Sequence, residues 1–253
     1  MHILIVWGDD IDLVTPEDEI CVIFDVLRAS TTISTMLSKN ARRVYITTSV
    51  EETLARKWDD ANVLACGERN GYPPEGFDHG NSPVEFLDLD LENKDVVLTT
   101  SNFTRIADKV IKKGFKEIYS GALVHLKSMA VHVLERARND GRDIILVPAG
   151  MKTKAYEDLV GVKYFLKELL KVDGQVTFKS IKIDPDELNR ENIEKLDESS
   201  KYIYDIVVQN SKHAQYLLKE GFRRDVEFAL QLDYFKDNRP VYEPSIQAFT
   251  NHA

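Results

Sequence analysis

The chain has 253 residues, 43% of them apolar, and a formal net charge of −9. That length buries one large core, or two smaller lobes sharing a sheet, and argues against disorder. The acidic balance excludes a broad nucleic-acid surface, which needs a basic footprint to release phosphate counterions, so any anionic ligand must be attracted locally.

From the N-terminus, Met1 to Trp7 is apolar but far shorter than a membrane span, with no basic leader or small-residue cleavage site. A cytoplasmic protein without a membrane partner is expected. A β-branched run from Ile20 to Phe24 then leads into Asp25-Val26-Leu27-Arg28-Ala29-Ser30-Thr31-Thr32, and helical spacing follows at Ile33, Met36 and Leu37. This turn gathers a carboxylate, a guanidinium and three hydroxyls. It has the composition of a metal-assisted phosphate site and lies at a strand's carboxyl end, where open parallel sheets bind ligands. Cys21 and Cys66 lack the spacing of a zinc or redox pair and read as inert core thiols.

The stretch from Gly67 to Pro83 holds four glycines and three prolines and forms a long polar loop, which in a compact domain is usually functional. It offers Glu68 and Asp78 as hard oxygen ligands, Arg69 as a fork donor for phosphate, and His79 as a general-acid candidate. The simpler alternatives are a surface ion pair for Glu68 and Arg69, an Asx turn at Asp78, and a hydrogen-bonded loop role for His79.

An offset of 74 residues aligns Val22-Ile23-Phe24-Asp25 with Val96-Val97-Leu98-Thr99, Ser30 with Thr104, and Val44-Tyr45 with Ile118-Tyr119, without a gap. Two copies of a strand, loop, helix, strand unit are implied, each placing a hydroxyl-rich loop at a helix N-terminus, where backbone N–H groups can hold a phosphate. Taken singly, Ser30 and Thr104 also suit N-caps. The second loop, Thr99-Thr100-Ser101-Asn102-Phe103-Thr104-Arg105, lacks a carboxylate. A division of labour follows, with metal on the Asp25 loop and phosphate or an acid group of the substrate on the Thr99 loop.

A third unit runs from Ile144 through Pro148-Ala149-Gly150 into a helix from about Tyr156 to Leu170, with Glu157 and Asp158 near the strand end as further ligands or as charges complementing the helix dipole. Residues Asp184 to Ser200 read as a solvated connector or surface helix. Tyr202 to Asn238 reads as two amphipathic helices, with Gly221 stopping the first, and Arg239 to Tyr242 reads as extended. The expectation is a three-layer α/β/α architecture with a largely parallel or mixed sheet and an internal duplication. It forms a single compact unit over 1–253, divisible into an N-terminal lobe 1–140 and a C-terminal lobe 141–253 packed without a flexible linker.

No GxxxxGK[ST] P-loop occurs, Leu27 occupies the second Asp position of an aspartyl-phosphate motif, Cys21 and Arg28 are one residue too far apart for a cysteine phosphatase, and there is no HExxH helix. The DVLRAST turn at Asp25 to Thr31, GER at Gly67 to Arg69, GFDHGNSP at Gly76 to Pro83, TTSNFTR at Thr99 to Arg105, and Glu157-Asp158 together resemble the 2-phosphosulfolactate phosphatases, or ComB-like proteins, over essentially the whole chain. The chain differs from the usual family pattern at Phe103, where TTNGTR has glycine, at Ala122, where Ser is usual, and at Pro148, where Cys is common. Part of the expected substrate rim is thereby altered.

The resemblance implies an α/β fold with internal duplication and a magnesium-dependent phosphatase releasing phosphate from 2-phospho-3-sulfolactate, a step toward coenzyme M. On that footing, Asp25 and Glu68, with Asp78 or Asp158, hold Mg²⁺. Arg28, Arg69 and Arg105 stabilise anionic oxygens, and Ser30, Thr31, His79, Asn81, Ser82, Thr99, Thr100, Asn102 and Thr104 bind the small anionic phosphorylated substrate. Metal-activated water is the favoured attacker. Two alternatives are a phosphatase for another small phosphorylated hydroxy acid and a non-catalytic anion-binding regulatory protein. Pairing into a homodimer is left open.

Overall fold

The computed structural model describes residues 1–151 and 155–251. Its strands are β1 (His2–Val6), β2 (Ile20–Phe24), β3 (Arg43–Ile46), β4 (Val63–Gly67), β5 (Asp95–Thr99), β6 (Glu117–Gly121), β7 (Ile144–Pro148), β8 (Thr177–Ile181), β9 (Pro240–Glu243) and β10 (Ala248–Asn251). They form one mixed sheet in the order β4-β5-β3-β10-β9-β6-β2-β7-β1-β8. Its helices are α1 (Ala29–Ser38), α2 (Val50–Asp59), α3 (Phe103–Lys112), α4 (Leu126–Asp140), α5 (Tyr156–Val172), α6 (Arg190–Glu194), α7 (Ser200–Asn210), α8 (Lys212–Lys219) and α9 (Arg223–Ala229).

The duplication is present and longer than the expected unit. Helix α3 and strand β6 begin 74 residues after α1 and β3, and each copy continues through one more helix and strand, giving β2-α1-β3-α2-β4 and β5-α3-β6-α4-β7. The copies exchange their first strands. β2 pairs in parallel with β6 and β7 of the second copy, and β5 pairs in parallel with β3 and β4 of the first. The second strands, β3 and β6, do not meet, because the C-terminal hairpin β9–β10 lies between them and pairs antiparallel with each. Strands from 1–140 and from 141–253 therefore interleave in one sheet.

Residue alternation along the strands separates two cores. Ile20, Val22 and Phe24 of β2 face a cluster that includes Met129 and Val133 of α4 and Leu159, Phe165 and Leu169 of α5. Cys21 and Ile23 face the other side, with Ile33 and Met36 of α1, Ile106 and Val110 of α3, and Phe249 of β10. With both faces covered, β2 and β5 read as continuous buried runs rather than alternating ones. Both cysteines are free and buried, as expected of core thiols.

Two local expectations change. The charged stretch after Asp184 is not simply a solvated connector, because Leu188 and Ile193 turn into the larger core. The tail contains three short helices rather than two. The first ends at Asn210, because Ser211 accepts a hydrogen bond from the Ala214 amide and caps a new helix, and Gly221, at φ +90°, follows the second.

Besides its backbone pairing, the hairpin joins the two copies through Phe249, which is buried and lies 5.7 Å from Phe103 of the second copy, opposite Val44 of the first. Phe249→Ala is expected to cost about 3–5 kcal/mol in urea unfolding, the usual penalty for emptying a large aromatic site. A loss below about 1 kcal/mol would mean that the hairpin does not unite the copies.

Candidate active site

The carboxyl ends of β2, β4, β5 and β7 open onto one cavity of about 410 Å³. Asp25, Glu68, Thr100 to Asn102 and Met151 line it from these ends, while Ala155, His213 and Tyr216 close it from α8 and the start of α5. The strand exchange sets β2 beside β7 and β5 beside β4, so the two duplicated loops supply facing walls.

Asp25 is buried between the duplicated helices. Its Oδ1 accepts the Ala29 amide of α1 at 3.1 Å, and its Oδ2 accepts the Phe103 amide of α3 at 3.1 Å. Burial, reinforced by the negative charge of Glu68, pushes its carboxyl up to about 6, against the two amide hydrogen bonds and the charge of Arg28. Glu68 is gripped in the same manner, with Oε1 accepting the Ser101 amide at 2.7 Å and Oε2 the Gly71 amide at 2.9 Å. Glycine is required just before it. Gly67 has φ +141° and a Cβ there would lie 2.0 Å from the Thr99 carbonyl, where the Glu68 amide makes its own hydrogen bond at 3.0 Å.

Arg28 supplies the cationic wall. Its Nη1 donates to Asp225 Oδ2 at 2.7 Å, its Nη2 to the Gly71 carbonyl at 2.9 Å, and its guanidinium lies 4.2 Å from the Phe222 ring centroid. His213 Nε2 meets the Leu27 carbonyl at 2.9 Å, and Tyr216 donates to the Asn70 carbonyl at 3.0 Å. Asn81 also lines the cavity, and its amide oxygen is buried with no hydrogen-bond partner among the described residues. Two carboxylates and an orphaned amide oxygen are a donor set suited to Mg²⁺, which takes few protein oxygens and keeps several waters. No group of three or more His, Cys, Asp or Glu placed to hold a metal occurs among the described residues.

Of the anticipated residues, Asp25, Arg28, Glu68, Asn81, Thr100 and Asn102 come together at the cavity, and the others do not line it. Ser30 accepts the Asp25 amide and Thr31 donates to the Val26 carbonyl, so these hydroxyls shape their own turn. Thr104 bonds the Thr100 backbone, and Thr99 accepts from Arg69, which also donates to the Glu68 carbonyl. Arg105 pairs with Asp9 at the surface, and Ser82 donates to Asp225. Asp78 spends both oxygens on Lys57 and the Ala65 amide, covering the exposed edge of β4, and His79 bonds Glu85.

Asp158 accepts the Val26 and Gly150 amides, each at 2.8 Å, and so ties the Asp25 turn to the end of β7. The family departures also lie off the rim. Phe103 turns its ring into the core and presents only its amide to Asp25, Ala122 is buried against Phe228, and Pro148 ends β7.

Behind the cavity is a second acidic layer. Glu157 and Asp158 are buried at the first turn of α5. Burial pushes Glu157 up to about 8, opposing the hydrogen bond it accepts from Ser211, and it pushes Asp158 well above the carboxylate range, with Glu157 and Asp25 adding to the rise. Sequence inspection missed Asp225, Ser211, His213 and Tyr216, which lie on short amphipathic helices where a polar residue carries no spacing signal.

Fold and cavity together define an α/β protein with a carboxylate and guanidinium ligand site at the carboxyl edge of its sheet. The sequence model of the family described as 2-phosphosulpholactate phosphatase matches residues 9–240. The chain belongs to this family and is a phosphoric monoester hydrolase. It is 33% identical over 223 residues to a probable 2-phosphosulfolactate phosphatase of Pseudothermotoga lettingae, covering 87% of this chain and 88% of the relative. Proteins described in the same words from Carboxydothermus hydrogenoformans and Clostridium beijerinckii are 31% and 28% identical, covering 86% and 90% of this chain and 84% and 91% of their own lengths. Among the described residues, no helix is long and apolar enough to cross a membrane.

The acidic layer makes stability pH-dependent. Glu157 holds its proton up to about pH 8 when folded but releases it near 4.5 when unfolded. Between those values the native state binds the extra proton, so stability falls as pH rises, by at most about 1.4 kcal/mol per pH unit. Glu157→Gln keeps an acceptor for Ser211 and is expected to lessen the slope by up to about 1.4 kcal/mol per pH unit in urea melts between pH 5 and about 8, the remainder coming from Asp25 and Asp158. An unchanged slope would show that Glu157 is ionised in the fold.

Proposed function

We propose that the chain hydrolyses the phosphate monoester of 2-phospho-3-sulfolactate to sulfolactate and phosphate, with Mg²⁺ held by Asp25, Glu68 and Asn81. One observation carries the reading: two buried carboxylates face one committed guanidinium across a cavity of small-molecule size. Asp25 and Glu68 alone would repel a phosphate, and Arg28 already neutralises Asp225. An anionic substrate therefore needs further positive charge at the carboxylates. A divalent cation held by Asp25, Glu68 and Asn81 would supply it and would add Lewis-acid polarisation of the phosphoryl group. The family match and the names of the relatives support the substrate.

In this reading Arg28 binds phosphoryl or acid oxygens of the substrate, while Asn70, Thr100, Ser101 and Asn102 bound its position. None of the known phosphoenzyme spacings occurs in the chain, which favours water over the Asp25 carboxylate as the attacker. Water adds to phosphorus, the bond from phosphorus to the sulfolactate oxygen breaks, and the released alkoxide takes the proton that the attacking water gives up. The reaction is of the coenzyme M biosynthesis type and takes place in the cytoplasm.

A phosphate-release screen with and without Mg²⁺ on 2-phosphosulfolactate, phosphoglycolate, phospholactate and generic esters tests this. Magnesium-dependent release, fastest from 2-phosphosulfolactate, is the expected result. Asp25→Asn and Glu68→Gln should each lower kcat by at least about 100-fold. Metal-independent turnover would remove the cation from the account, and trapping a phosphorylated Asp25 on acid quench would replace water as the attacker.

A further inference from the structure

We propose that Asp225 is a positioning residue for the hydrolysis, fixing both the Arg28 guanidinium and the Asn81–Ser82 segment at the cavity wall; this rests on the function proposed above. Asp225 lies in the first turn of α9, nearly 200 residues from Arg28 in sequence. Its carboxylate is fully committed: Oδ2 accepts Arg28 Nη1 at 2.7 Å and Oδ1 accepts the Ser82 hydroxyl at 2.6 Å. The Arg28 and Asp225 side chains are 2% and 1% exposed. Arg28 and Asn81 line the cavity, but Asp225 and Ser82 do not, so Asp225 acts through its partners.

The geometry holds the guanidinium from three sides. Asp225 takes one Nη, the Gly71 carbonyl takes the other at 2.9 Å, and the Phe222 ring, one turn before Asp225, packs on its face at 4.2 Å. Two of the five N–H donors are spent in this way, and the rest stay on a group fixed at the cavity wall. Ser82 brings the glycine-rich loop to the same carboxylate, and the adjoining Asn81 carbonyl accepts the Thr32 hydroxyl at 3.2 Å. One side chain thus sets the relative placement of a charge from the β2–α1 turn and an amide from the loop after β4.

Removing the Asp225 charge separates binding from turnover. An unpartnered guanidinium attracts anions at least as strongly, but it is no longer aimed, and a misplacement of about 1 Å costs on the order of 100-fold in rate. Steady-state phosphate release from 2-phosphosulfolactate with Mg²⁺ is measured for wild type, Asp225→Asn, Arg28→Lys and the double variant. Asp225→Asn is expected to lower kcat about 30- to 100-fold with KM unchanged or lower. The double variant should be no slower than Arg28→Lys alone, because the carboxylate works through the guanidinium. A kcat for Asp225→Asn within about two-fold of wild type, or losses that multiply in the double variant, would overturn the proposal.

Should Asp225→Asn fail to fold, Ser82→Ala probes the same carboxylate with the ion pair intact, and several-fold slower turnover at unchanged Tm is expected; unchanged kcat overturns the proposal. If wild type releases no phosphate, the substrate assignment fails on its own. The comparison then moves to calorimetric binding of inorganic phosphate with Mg²⁺, where Asp225→Asn should alter affinity only when Arg28 is present, and an equal effect in the Arg28→Lys background contradicts the role.

Discussion

Asp25 accepts the first amide of α1 on one oxygen and the first amide of α3 on the other. The positive ends of two helix dipoles thereby converge on one buried carboxylate. This contact fixes how the duplicated halves meet, because α1 and α3 are equivalent elements of the two copies. The strand exchange serves it. With β2 seated among second-copy strands and β5 among first-copy strands, both helices start from the ends of neighbouring parallel arrays. The turn held by Asp25 then delivers Arg28 to Asp225 on one side and Leu27 to His213 on the other.

The electrostatic consequence is a site whose carboxylates are strongly hydrogen-bonded and still short of positive charge. Four backbone amides from three segments are spent on Asp25 and Glu68. The helix N-termini that a phosphate could have occupied are therefore taken by a carboxylate. Glu157 behind them is held protonated by burial, which avoids a third charge close to the first two. Such clustering disfavours the ionised fold, and it is characteristic of sites where ligand rather than packing completes the balance.

Much of this was legible in the chain. The offset of 74 located α1, α3, β3 and β6 because α1 and α3 are each ten residues long with equally long connections to β3 and β6, and the apolar runs Ile20 to Phe24 and Val96 to Leu98 marked the strands before them. Strand exchange was not legible, since periodicity says which face a residue takes and nothing about which strand lies alongside. Of the C-terminal hairpin, β9 was legible as the extended stretch from Arg239 to Tyr242, whereas β10, only four residues long, was not, nor was the place of the pair between the two copies. That Asp25, Arg28 and Glu68 reach one cavity was legible from the charged, hydroxyl-rich turn after an apolar run and from the glycine-rich loop after β4. Asp78 has the same appearance and a different fate, pinning an edge strand, and Asp225 looks like any surface acid on a short helix until the fold sets it against Arg28.

Under the proposed function, the Asp25–Glu68 pair binds phosphate only through a divalent cation. Calorimetric titration of inorganic phosphate into the wild-type chain, with EDTA and then with saturating Mg²⁺, tests it most directly. No measurable binding in EDTA and saturable binding with Mg²⁺ are expected, together with a reciprocal gain in Mg²⁺ affinity when phosphate is present. Equal phosphate affinity in both conditions would contradict it.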